Sequence, residues 1–278
     1  KSNQSTQEIN SQAQNPLGTA PVGGLIAKFA IPAIISMLVS AMYNIVDQIF
    51  IGQGVGMLGN AATNVAFPVT TIATALALLL GIGGASNYNL EMGAGQEKKA
   101  SGIAGTALSS LVISGLILAV IALVFLKPLL TLFGATTDVM PYAVDYTGIT
   151  ALGLPFYILS VGGNHVVRAD RSPTYSMTCI MIGAIINTIL DPVFIFVFGW
   201  GIKGAAWATV IGQVVSGVLV IVYFWKFRNM YLTGAMLKPK MPYLKAIISL
   251  GLASCINQIA MAIVQIVLNN ILRHYGAD

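Results

Sequence analysis

The 278-residue chain is 56% hydrophobic and only 8% charged, with a mean hydropathy of +0.81. That balance excludes a soluble domain and marks an integral membrane protein. The net charge of +5 comes from basic residues scattered between apolar runs. They are no nucleic-acid surface; their placement speaks of membrane topology.

Residues 1–21 are polar, rich in Gln, Asn and Ser, and lack the apolar centre of a secretory signal. They predict a disordered cytoplasmic tail. At about 20 apolar residues per crossing, seven spans follow, roughly over 25–50, 62–86, 102–126, 142–165, 174–198, 204–225 and 244–271. No segment alternates in hydropathy, so the spans are helices, each satisfying its own backbone within lipid. The glycines of GIGGAS in span two match no phosphate-binding strand–loop–helix context, and they predict close helix packing.

Eleven of the fourteen Lys and Arg residues flank the first span or lie in the joints two–three, four–five and six–seven. The positive-inside rule therefore places the N-terminus in the cytoplasm. The stretch 227–243 carries Pro239, Pro242 and several basic residues, and it reads as a linker. Before it lies a six-helix N-lobe, 22–226; after it, 244–278 begins a second lobe. A faint repeat agrees, since KFAIPAIISMLVSAMYNIVD can be laid without gaps on SLGLASCINQIAMAIVQIVL, placing Ile45 on Ile266. The chain starts at Lys and stops just past a span, so a piece of a longer protein is expected.

Asp47 and Asp191 are lone carboxylates inside apolar stretches. Each costs about 2.5–3.5 kcal/mol at mid-bilayer on the gentlest scale, so an intramembrane acid is a functional residue by default. Both spans run outward. Asp47 lies about 28 Å above Lys28, and Asp191 about 27 Å above Pro173. The two acids thus share one depth, in the outer part of the membrane. Asn187 is one turn below Asp191, and Tyr43 stands in the same relation to Asp47. Thr209 joins them near the outer end of span six. These five polar groups from three helices are expected to line one pocket.

Burial disfavours a charged carboxyl, so such a group exchanges protons near neutral pH. Alternatively, Asp47, Asn187, Asp191 and Thr209 supply the oxygens that Na⁺, a hard cation, prefers. Pro192 cannot donate to the carbonyl of Thr188 and predicts a hinge in span five. Asp145 is expected to be a solvated end residue, and His165 and His274 interfacial. Cys179 and Cys255 form neither a disulfide framework nor a metal site. No HExxH, GxSxG, Walker or CxxC pattern occurs, so no enzyme and no ATP-driven engine is indicated. Uphill movement of a solute must then draw on an ion gradient.

With VDQIFIG in span one, RADRSP after span four, NTILDP in span five and GAAWATVIGQ in span six, residues 22–278 resemble the bacterial drug-efflux branch of the multidrug and toxic compound extrusion (MATE) family. The resemblance implies an all-α transporter of two six-helix lobes, working by alternating access in the bacterial cytoplasmic membrane as a monomer when whole. It implies export of amphipathic organic cations in exchange for H⁺ or Na⁺, without a cofactor. It also implies an N-lobe pocket built on Asp47, Tyr43, Asn164, Asn187, Asp191 and Thr209. The span count puts Asn164 nearer the cytoplasmic end than the acids. A lipid-linked saccharide flippase of the same superfamily is the alternative, disfavoured because the spans hold acids rather than Arg or Lys. Arg171 departs from the pattern, since relatives carry a small residue such as Gly in that turn. A positive φ there would cost Arg about 1 kcal/mol.

Overall fold

The computed structural model describes residues 22–225 and 237–275. The predicted tail and most of the linker lie outside the described residues. Among the described residues eight α-helices are seen: α1 (Val22–Gly54), α2 (Met57–Gly93), α3 (Glu97–Val124), α4 (Leu126–Leu132), α5 (Met140–Ala169), α6 (Pro173–Pro192), α7 (Ile202–Trp225) and α8 (Met241–Tyr275). All but the short α4 are long and apolar enough to cross a membrane. The seven predicted spans are therefore present. Several run past their apolar cores, because a helix carries its backbone hydrogen bonds on through the interface.

α2 and α5 form the centre of the bundle. α2 packs on α5, α3 and α8, and α5 packs on α7 and α3. Their crossing is made by glycine: a Cβ on Gly81 would stand 2.6 Å from the Cα of Gly162. A second backbone-to-backbone crossing joins α2 to α8, where a Cβ on Gly83 would collide with the carbonyl of Ile247, and one on Gly251 with that of Leu79. The GIGGAS glycines thus serve close packing, in which small residues let helices approach. α8 follows α2 from the Asn87 Nδ2 bond to the Ala246 carbonyl (3.0 Å) to the Asn269 Nδ2 bond to the Asn64 carbonyl (3.3 Å).

α1 is set apart. It packs mainly on α6 and scarcely touches α2. Most of its apolar side chains, among them Ile34, Met37, Leu38, Ile45 and Ile49, face outward. Its tie to α2 is polar: Gln48 Nε2 donates to Thr63 Oγ1 at 3.1 Å. At the outer end, Phe194, Phe198 and Trp200 stack with centroids 5.2–5.7 Å apart, as aromatic residues do at a membrane interface. Asp145, expected to be merely solvated, pairs with Lys203 at 3.3 Å across the outer ends of α5 and α7.

Candidate ion-coupling site and cavity

The contact of α1 with α6 brings the two acids together. Asp47 and Asp191 are 7% and 0% exposed, and their carboxyl groups lie within hydrogen-bonding reach of each other. Asn187 Nδ2 donates to Asp191 Oδ1 at 3.3 Å and lies 3.4 Å from Thr209 Oγ1. Turned over, the same amide places its nitrogen 3.2 Å from Asp191 Oδ2. Its oxygen then accepts from the Thr209 backbone N–H at 3.2 Å. One oxygen of Asp47, Oδ1, is buried without a hydrogen-bond partner among the described residues. The predicted quartet is therefore a single contact group, and it contains an unsatisfied acceptor.

Beneath this group lies a cavity of about 260 Å³, lined by Tyr43, Asn164, Asn187 and Thr209 among others. Neither acid lines it, contrary to the expectation of five polar groups around one pocket. The tight α1–α6 contact leaves the acids no open space, and Asn187, Thr209 and Tyr43 stand between them and the void. Asn164, placed by span count below the acids, lines the same cavity. It is 2% exposed, its Nδ2 donates to the Ser160 carbonyl at 2.8 Å, and its Oδ1 has no partner among the described residues. His165, expected at the interface, also lines the cavity, together with Arg168. The side chain of His274 lies outside the described residues.

Pro192 ends α6 rather than bending its middle. After it the chain runs into a π-helical turn, Val193–Val197, and leaves the bundle at Phe198. The missing proline N–H is absorbed there by a wider turn, so any hinge would move only this last stretch.

Three residues of α5 went unpredicted. Tyr146 hydrogen-bonds to Thr209 and lies within electrostatic reach of Asp47, Tyr43 and Asp191. The Tyr157 hydroxyl is 2.8 Å from Thr74 Oγ1, pinning the cavity wall to α2. Arg168 closes the cytoplasmic end, with Nε 2.9 Å from Ser176 Oγ. A signal was available: Tyr157, Ser160, Asn164 and Arg168 recur at three- and four-residue steps, a polar stripe on one helical face.

Among the described residues no cluster of three His, Cys, Asp or Glu side chains exists that would hold a transition metal. A hard monovalent cation instead needs carboxyl, amide and hydroxyl oxygens. The quartet presents those, including the orphaned Asp47 Oδ1.

Seven apolar helices around a polar, water-sized interior define an integral membrane protein of the helical-bundle class. The chain belongs to the MATE family, whose MatE profile matches residues 32–193. It is 29% identical over 258 residues to the multidrug export protein MepA of Staphylococcus aureus strain MRSA252, covering 92% of this chain and 57% of that protein. Its fold matches the structure of the MATE multidrug transporter DinF-BH in complex with a cationic drug. There the TM-score is 0.88 and the identity 34%, over 94% of this chain and 59% of that one. It also matches a MOP superfamily transporter from Pyrococcus furiosus, whose binding pocket of reverse polarity suggests a different function. That match has a TM-score of 0.79 and 29% identity, over 86% of this chain and 53% of the other. The chain thus spans a little over half the length of the relatives it matches.

Proposed function

We propose that the intact protein is an antiporter that exports amphipathic organic cations by alternating access, driven by H⁺ or Na⁺. On this reading residues 22–226 form one lobe, and α8 is the first helix of a second. The observation that carries the proposal is the Asp47–Asp191 pair, two carboxyl groups within hydrogen-bonding reach and closed off from lipid. Two such groups cannot both stay ionised and bare at that distance in a poorly solvated site. They hold a proton or a cation between them.

The pair sits directly above the cavity, so its charge is felt by anything bound there. A cation about 6 Å from a carboxylate gains roughly 3 kcal/mol at an effective dielectric of about 20, or about a hundredfold in affinity. Uptake of H⁺ or Na⁺ from outside cancels that pull and releases the cation outward. Loss of the ion to the cytoplasm restores it. Asn187 and Thr209 relay the change, since both touch the acid side and both line the cavity. Tyr43 and Asn164 complete the substrate wall.

A lipid-linked saccharide flippase has one observation in its favour, the Arg168 guanidinium at the cytoplasmic end of the cavity. Pocket polarity is what separates the two readings, and the carboxyl pair makes the outer end acidic. The test is ethidium accumulation in an efflux-deficient bacterium expressing the uninterrupted protein or Asp47→Asn. Low accumulation that rises in the variant is expected. Accumulation unchanged by either protein, at sound membrane expression, would sink the drug-export reading and favour the flippase.

A further inference from the structure

A second cavity, of about 570 Å³, opens at the cytoplasmic end between α1, α2 and the α5–α6 turn. Its wall combines Phe29 and Ile82 with Ser86, Asn89, Arg168 and Arg171. We propose that it binds a phosphate-bearing anion, such as the headgroup of an acidic phospholipid of the inner leaflet, with Arg168 and Arg171 as its anchors.

Neither arginine forms an ion pair among the described residues. Arg168 spends Nε on Ser176 and leaves its two terminal nitrogens toward the cavities. The neighbouring carboxylate is already committed: Asp170 accepts from the Tyr88 hydroxyl at 2.8 Å and from the Tyr223 hydroxyl at 2.6 Å. Arg171 is held at φ 61, a left-handed conformation that costs a residue with a Cβ about 1–2 kcal/mol. A strained position is thus occupied by a long cationic side chain where a glycine would sit freely, and backbone strain of this kind clusters at ligand clamps. Ser86 and Asn89 add polar side chains for phosphate oxygens, while Phe29 and Ile82 suit an acyl chain. The sparse contact of α1 with α2 leaves a lateral way in from the membrane. Basic pockets between helices on the cytoplasmic side are the places where acidic headgroups bind.

Arg168 and His165 line both this cavity and the central one. An anion bound here neutralises a guanidinium that faces the path of an incoming cation. The site is independent of which solute the central cavity carries.

The experiment uses the intact transporter in phosphatidylcholine nanodiscs and follows its thermal unfolding with added phosphatidylglycerol, and separately with glycerol phosphate. Phosphatidylglycerol is expected to raise the unfolding temperature in the natural protein. The rise should vanish in Arg168→Gln and Arg171→Gly. The glycine variant relieves the positive φ, so it folds at least as well and any lost response reports the missing guanidinium. An equal rise with glycerol phosphate, lost in the same variants, keeps the phosphate site but assigns it to a soluble ligand. No rise with either anion, or a rise that both variants retain, overturns the proposal.

Discussion

Two buried carboxyl sites, one at each end of the bundle, use the same residue type in opposite ways. Asp170 is 2% exposed, and both of its oxygens accept short bonds from the hydroxyls of Tyr88 on α2 and Tyr223 on α7. Asp47 is 7% exposed, faces another carboxyl, and keeps one oxygen without a partner among the described residues. Full satisfaction makes a structural clamp. A buried acceptor left open stores the capacity to take a ligand, at an expense of about 1–3 kcal/mol for the missing bond. The clamp therefore fixes the cytoplasmic end of three helices, and the open pair is where the ion binds.

The largest effect that sharpens this contrast is expected from Asp170→Ala. It leaves two tyrosine hydroxyls buried without their acceptor and should lower stability by about 3–5 kcal/mol, the scale for breaking a buried charged network. Thermal unfolding of the purified protein measures it. An unchanged midpoint would mean that Asp170 is no clamp. Asn187→Ala is expected to act the other way round. Stability should fall by only about 1 kcal/mol, for one modest hydrogen bond, while ethidium efflux drops severalfold because the relay between acids and cavity is cut. If stability collapsed and the residual folded protein pumped normally, the two sites would be alike after all. The smallest effect is Arg171→Gly, which should gain roughly 1 kcal/mol in the absence of anionic lipid by relieving the positive φ. Denaturation in neutral lipid checks it; a loss would contradict the strain assigned to that turn.

Much of the fold was legible in the sequence, because lipid allows so few solutions. Apolar runs of spanning length must be helices, and all seven appear. The turn at RADRSP was legible too: Arg171 has the positive φ that a small residue would favour. The partnership of Asp47, Asn187, Asp191 and Thr209 followed from depth and helical spacing alone. What depth does not reveal is which face of a helix meets which neighbour. Span counting thus placed the acids on the cavity wall, whereas α1 and α6 press them together just above it. It left His165 at the interface, though the residue turns inward beside Asn164. Tyr146 was overlooked because one tyrosine near a span end looks like part of an aromatic belt; only the approach of α5 to α7 joins it to Thr209. The ends of α6 could not be read either, since a proline near a helix terminus can be met by a π-helical turn as well as by a kink.

The most direct test of the central claim is dye transport by the intact protein in proteoliposomes under an imposed H⁺ or Na⁺ gradient, with Asp47→Asn alongside. The account predicts that one of the two gradients drives ethidium against its concentration and that Asp47→Asn abolishes the movement while the protein stays folded. Transport indifferent to both gradients, or undiminished in Asp47→Asn, would contradict the assignment of ion coupling to the open carboxyl pair.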